Sequence, residues 1–390
     1  MLWRMTSRSH PHAGRRHPRR HRVLILGASY GSLLATKLAM AGHDVTLVCT
    51  VATAALVNRA GTHVRFPVQG GEPPLDVHSR ELPGEIDALT PGEVDPAAYD
   101  LVVLGMQEAQ YGAKGVRELM DRVARSGRPC LAIMNMPPLP YLRRIPGLDT
   151  APLAACYADP GVWEDFDPRL VTLASPDPQA FRPPEQAKNV LQVGLATNFK
   201  AARFESEEAT ALLRRLEADI EAARYPLGYE EVAVPVKLKV HDSIFVPLAK
   251  WPMLMAGNYR CIRRDDMIAI RDAVHGDPDA SRRVYEWTGA LCARLGAADG
   301  DLVPFEKYAK AAEGLGKPSS AARALFGGAE HIERVDALVT RIARQYGLRS
   351  EALEQIVGLV DARLARNRQK HREERPAPAM ALAALASGAA

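Results

Sequence analysis

Cysteine is scarce in this chain, and long apolar runs are missing from it. The five cysteines, Cys49, Cys130, Cys156, Cys261 and Cys292, are scattered, odd in number and never spaced Cys-x-x-Cys. That pattern excludes a disulfide framework or a zinc ribbon and points to a reducing compartment, so a cytoplasmic location and no metal are expected. No stretch reaches 18 consecutive apolar residues, which leaves nothing to span a membrane. Acidic residues are absent from the first 22 positions, where Arg4, Arg8, Arg15, Arg16, Arg19, Arg20 and Arg22 collect much of the formal net charge of +4. This opening lacks the apolar segment of a secretory signal. It reads as a disordered basic arm over residues 1–21, a solvated tail that does not call for nucleic acid as a partner.

What remains has the composition of an ordinary globular protein, 47% apolar and 25% charged, and 390 residues are enough for two domains with cores of their own. The organising stretch runs from His21 to Thr50. Val23 to Leu26 form a short unbroken apolar run, Gly27 ends it, and Leu33, Leu34, Leu38 and Met40 fall into helical spacing before Gly42. With the apolar run Val45 to Cys49 behind it, the stretch reads as a βαβ unit of about 30 residues, the frame that holds dinucleotides.

Glycine is also short where a dinucleotide turn expects it. Gly27, Ser29, Gly31 and Ser32 replace the usual Gly-x-Gly-x-x-Gly. Serine is small enough to let the backbone and the helix N-terminus approach a pyrophosphate, so Gly27, Ser29, Tyr30, Gly31 and Ser32 are the expected cofactor contacts. The alternative is a plain crossover whose small residues only let the helix pack closely. A carboxylate that would accept from the ribose 2′-hydroxyl is missing as well: the second strand ends at Cys49-Thr50. That absence favours NADP over NAD, with Arg59 on the next helix as a candidate for the 2′-phosphate and Thr50 as a neighbour of the ribose.

Further along, Val51 to Gly61 reads as a helix, Tyr99 to Gly105 as a buried parallel strand, Gly115 to Ser126 as a helix and Pro129 to Asn135 as the next strand, stopped by the prolines that follow. Gln107 and Asn135 thereby fall at strand ends on the ligand side of the sheet. The Asn135 amide either bonds cofactor or substrate or forms an Asx-type turn. Val190 to Leu195 reads as a last strand, and Ser206 to Tyr225 as an amphipathic helix capped by Ser206. From about residue 232 nearly everything reads as helix. The expected architecture is an α/β, Rossmann-like parallel-sheet domain over 22–231, an all-helical domain over 232–368 and a disordered tail over 369–390.

Val236-Lys237-Leu238-Lys239-Val240-His241-Asp242-Ser243-Ile244-Phe245 opens the helical part, and with GASYGSLLATKLAMAGHDVTLV, YDLVVLGMQ, the IMN strand end and Lys317-Pro318-Ser319-Ser320 it resembles the ketopantoate reductase (2-dehydropantoate 2-reductase) family. That family's helical domain begins with a Lys-Leu-x-x-Asn-x-x-x-Asn helix. The resemblance implies an NADPH-dependent oxidoreductase in which Lys237 donates a proton to the substrate carbonyl, with Asn135 beside the nicotinamide. It puts Gln107 in place of a cofactor-site lysine, His241 and Phe245 in place of the two asparagines, and Ser320 in place of a glutamate. Phe245 and Ser320 would then line the substrate site with fewer polar groups, which points to a small 2-oxo acid other than ketopantoate. Without the family, Lys237 and His241 at i and i+4 still share one helix face and suit general acid chemistry, or else are a surface lysine and a backbone-bonded histidine. A non-catalytic nucleotide binder and an opine-type reductive amination are the other readings, and a homodimer fits the architecture.

Overall fold

The computed structural model describes residues 19–68 and 73–374. Most of the basic arm, and residues 375–390 of the expected tail, lie outside them. The strands are β1 (Arg22–Leu26), β2 (Asp44–Val48), β3 (His63–Phe66), β4 (Leu75–His78), β5 (Ile86–Leu89), β6 (Leu101–Leu104), β7 (Cys130–Ile133), β8 (Val171–Ser175), β9 (Gln179–Phe181), β10 (Val190–Leu195), β11 (Phe199–Ala202), β12 (Tyr225–Leu227), β13 (Glu230–Val232) and β14 (Leu238–His241). The helices are α1 (Gly31–Met40), α2 (Val51–Ala60), α3 (Val116–Ser126), α4 (Leu139–Leu142), α5 (Glu207–Ala222), α6 (Lys250–Met253), α7 (Ile270–His275), α8 (Pro278–Leu295), α9 (Phe305–Ala312), α10 (Ser320–Phe326), α11 (Val335–Gln345) and α12 (Glu351–Glu374).

The main sheet has the order β14-β11-β8-β7-β6-β1-β2-β5. Its six strands from β8 to β5 are parallel, and the order reverses between β1 and β6, the switch point where open α/β sheets take ligands. Successive side chains of these strands leave on opposite faces and both faces are covered. Leu24 and Leu26 of β1, with Val102 and Leu104 of β6, enter one core. Val23 and Ile25, with Leu101 and Val103, enter the other. The first core runs on without a break into the helical part through Trp251, Tyr259 and Leu338. The second is closed by α1 and α5, and Ser206 Oγ caps α5 as expected by accepting from the Ala209 amide.

Three expectations change. β11 runs antiparallel to β8, and β14 pairs in parallel with β11, so the sheet is parallel only in part and residues 238–241 still belong to it. The expected boundary at 232 falls before this strand, because the alternating apolar residues Leu238 and Val240 look the same to a helical and to an extended reading. β10 is a strand, as expected, but belongs to a second sheet of order β4-β3-β10-β9. At the other end α12 continues to Glu374, past the expected start of a disordered tail at 369. No described helix is long and apolar enough to cross a membrane.

One close approach is testable. Gly84 donates its amide to Ala39 O, and a Cβ there would lie 2.0 Å from His43 O. Backbone cannot yield as a side chain can, so Gly84→Ala is expected to destabilise the protein by about 1–3 kcal/mol, read as a lower urea midpoint at unchanged slope.

Candidate functional site

The turn after β1 keeps glycine where geometry demands it. Gly27 has φ of +105°, and a Cβ there would meet Met106 Cγ at 2.7 Å. A Cβ on Gly31 would meet Ile25 Cγ2 at 2.6 Å, so this glycine lets α1 lie against its own strand. Serine suffices at the other positions: Ser32 returns its amide and its hydroxyl to Ser29 O. The start of α1 has no side-chain cap and no acid in its first turn, which leaves its positive end free of carboxylate. Such an end suits a pyrophosphate. Tyr30 is turned aside, its hydroxyl donating to Pro178 O at 2.6 Å. Thr50 stands at the start of α2, at the end of β2.

Arg59 does not reach this place. It lies in the last turn of α2, nine residues or about 13 Å from Thr50 along the axis, toward the opposite edge of the sheet. The cation at the end of β2 is Arg182, which follows β9 of the second sheet. Its Nη2 donates to Ala28 O at 3.0 Å, and its charge acts on the Cys49 thiol. It forms no hydrogen bond or ion pair with a carboxylate among the described residues, and burial lowers its pKa. Sequence distance hid it, since only the pairing of the second sheet carries residue 182 back to residue 28.

At the ends of β6 and β7 the structure brings together Asn135 and a residue the sequence reading missed. Asn135 Nδ2 donates to Glu333 Oε2 at 3.1 Å, whereas buried Glu333 Oε1 makes no well-formed hydrogen bond and only feels the nearby amides of Glu108, Asn135 and Met136. Glu333 is fixed from the helical part: Tyr259 donates its hydroxyl to the Glu333 carbonyl and accepts from the Val335 amide. Glu108, also buried, accepts from the Ala158 amide at 3.1 Å. Burial pushes both carboxyls up to about 7; the charge of Glu333 adds to the rise at Glu108, whereas the Asn135 side chain and the nearby amides draw Glu333 back. Gln107 is exposed, and its backbone N–H donates to Gln110 Oε1 at 3.0 Å. The available signal for Glu333 was a single acid between Ile332 and Val335, too slight to single out.

The helix expected to open at Val236 is not there, and helical structure begins only at Val246. Lys237 enters β14, and its Nζ contacts Glu221 on α5, the carboxylate at 3.4 Å and the carbonyl at 3.2 Å. Glu221 also holds Lys239. Four residues of strand put His241 about 13 Å from Lys237, further from the ligand edge, since β14 runs against β8. Burial, then the charge of Lys200, lowers the His241 pKa. Phe245 packs against Gly296, whose added Cβ would lie 2.9 Å from the ring. Ser320 is exposed on the first turn of α10, while its neighbour Ser319 is buried as the cap and donates to Asn258 O at 2.7 Å. Lys237, His241, Phe245 and Ser320 therefore do not converge, because extended backbone separates residues that a helix would stack.

Lys250 stands at the ligand edge of the sheet. It begins the helical run of α6, which continues as a π-helix over Leu254–Asn258, a rare form that recurs at functional sites. Its Nζ meets Asp177 Oδ1 at 3.1 Å, two residues beyond the end of β8 and next to the Pro178 that holds Tyr30. Asp177 also pairs with Lys200. Burial alone would raise the Asp177 carboxyl, but the two lysines hold it below its ordinary value. The sequence alone lets Lys250, Trp251 and Asn258 line the cleft, or else leaves Lys250 solvated and Trp251 in the core; Trp251 is core, and Lys250 is largely buried in an ion pair. Lys250 and Asn258 stand eight residues apart, as do the lysine and second asparagine of the family motif.

An α/β dinucleotide-type sheet joined to a helical part, with polar groups gathered at the carboxyl ends of its strands, is the class these features define. Solved structures share that fold. D-Mandelate dehydrogenase with NADH and anilino(oxo)acetate aligns over 89% of this chain and 99% of its own, with 13% identity and a TM-score of 0.61. The 2-dehydropantoate 2-reductase from Methylococcus capsulatus aligns over 89% and 97%, with 17% identity and a TM-score of 0.61. A dimeric ketopantoate reductase from Staphylococcus aureus aligns over 89% and 99%, with 11% identity and a TM-score of 0.56. No family model and no curated protein matches the sequence.

The carboxyl pair generates a pH dependence. A folded-state pKa raised to about 7 stabilises the fold while the group is protonated, fully below the ordinary carboxylate range, and that contribution is lost as pH rises toward 7. Glu333→Gln removes the titration. Relative to wild type, the variant is expected to gain on the order of 2 kcal/mol between pH 5 and pH 8, measured by urea unfolding at both values.

Proposed function

We propose that the chain is an NADPH-dependent reductase of a small 2-oxo acid or a related carbonyl compound. The observation that carries this reading is the convergence at one sheet edge of an uncapped helix N-terminus, the Asn135–Glu333 pair and the Lys250–Asp177 pair. The shared fold with a dehydrogenase solved with NADH and anilino(oxo)acetate supports it. The residues fit a nicotinamide dinucleotide: at the turn into α1 the amides of Ser29, Tyr30 and Gly31 have no partner among the described residues and suit a pyrophosphate, and buried Glu333 Oε1, which makes no well-formed hydrogen bond, can accept from a donor such as a ribose hydroxyl.

Bound NADPH supplies the reducing equivalent, and the protein supplies position and a proton. Asn135 and Glu333 hold the nicotinamide end at the tips of β6 and β7. Lys250 donates a proton to the carbonyl oxygen, its ammonium aimed by Asp177, and in this reading it takes the role the family resemblance gave to Lys237. Arg182 takes the role first given to Arg59: the end of β2, Cys49-Thr50, carries no carboxylate of its own to repel a 2′-phosphate, and Arg182 is there to receive one. The expectation against ketopantoate rested on Phe245 and Ser320, which lie off this edge, so the substrate is proposed as a class only. The dimeric relative makes a homodimer part of the proposal.

Titrating the protein with NADPH and NADH by nicotinamide fluorescence, then adding a panel of 2-oxo acids, tests the reading. Lys250→Ala is expected to lower kcat by about 100-fold or more with NADPH affinity retained, while Lys237→Ala stays within a few-fold of wild type. Binding of NADPH without oxidation by any oxo acid would leave only the nucleotide-binding part; binding of neither nucleotide would end it. Arg182→Ala is expected to weaken NADPH by about tenfold or more and to leave NADH nearly unchanged, the loss of one charge-assisted contact to phosphate.

A further inference from the structure

The β3–β4 hairpin of the second sheet pairs His63 directly with His78, and Arg65 with Asp76. All four residues therefore leave the hairpin on one face. The two imidazole rings lie 3.9 Å apart. His63 Nδ1 is 3.9 Å and His78 Nε2 is 3.8 Å from the same atom, Asp76 Oδ1. These separations are too long for hydrogen bonds, and Asp76 Oδ1 is buried with no partner. The other carboxylate oxygen is engaged: Arg65 Nε donates to Asp76 Oδ2 at 3.1 Å, which fixes the plane of the carboxylate.

A buried, unpartnered carboxylate oxygen facing two imidazole nitrogens is a costly arrangement unless something occupies the gap. The three candidate ligand atoms all lie within 4.8 Å of one another. Ligands about 2.0–2.1 Å from a tetrahedral ion are roughly 3.3 Å apart, so modest side-chain rotation would close the set. Two imidazoles and one carboxylate suit a borderline transition ion rather than magnesium or calcium, and Arg65 on Oδ2 is the kind of outer contact that orients a metal-binding carboxylate.

We propose that His63, Asp76 and His78 form a binding site for a divalent ion of the zinc class, pinning the two strands of the hairpin and leaving a coordination position for water. The motif escapes a sequence scan because the two histidines are far apart in the chain and only strand pairing unites them.

The test uses the full chain stripped with chelator. Calorimetric titration with Zn2+ and absorption titration with Co2+ compare wild type with His78→Ala and Asp76→Asn, with far-UV circular dichroism confirming the fold of each. Wild type is expected to bind one more equivalent than either variant, or to bind it at least about tenfold more tightly, and Zn2+ should raise the melting midpoint of wild type alone. Equal stoichiometry, affinity and cobalt spectra in all three proteins would place any bound ion elsewhere, the histidines of the first 18 residues included, and would overturn the proposal. So would the absence of binding by wild type. None of these readouts depends on nicotinamide binding.

Discussion

Burial on both faces of the central strands is the constraint from which the rest of the structure follows. β1, β6 and β7 have no solvent side, so each residue must enter one core or the other, and alternate residues enter alternate cores. A sheet covered in this way can meet water only at its strand ends. Polar groups that serve a ligand are thereby driven to the carboxyl ends of the strands, and Asn135, Glu108 and Asp177 all stand there.

The helical part is attached by the same logic. One of the two cores continues from the sheet into it through Trp251 and Tyr259, so its first turns are anchored at the sheet edge. That anchoring delivers Lys250 to Asp177 and Glu333 to Asn135. The charges in these contacts are held by opposed effects. Burial raises the carboxyls of Glu108 and Glu333, with the charge of Glu333 adding to the rise at Glu108, whereas two ammonium groups overcome burial at Asp177. Neighbouring strand ends thus carry carboxyls of opposite tendency, a difference set by what each one faces.

Much of this was legible in order of sequence. The βαβ opening, the strands at Leu101–Leu104 and Cys130–Ile133, the cap at Ser206 and the position of Asn135 follow from apolar periodicity, glycine placement and proline stops. The helix expected to open at Val236 failed because a short segment with apolar residues at Val236, Leu238 and Val240 satisfies an extended reading as well as a helical one, and pairing with β11 decided for the strand. That single change moved Lys237 onto Glu221 and separated it from His241. Arg59 failed on length, since a helix carries its last turn away from the strand end where it began.

By itself the sequence determined the elements that depend on neighbours a few residues away: the turn at Gly27, the helix that follows it and the run of buried strands. Tertiary structure alone decided which distant residues share a site. Arg182 meets Ala28, Glu333 meets Asn135 and His63 meets His78 because sheets and cores bring together segments far apart in the chain. Periodicity records the face on which a residue lies, and carries no information about what the opposite surface will bring to it.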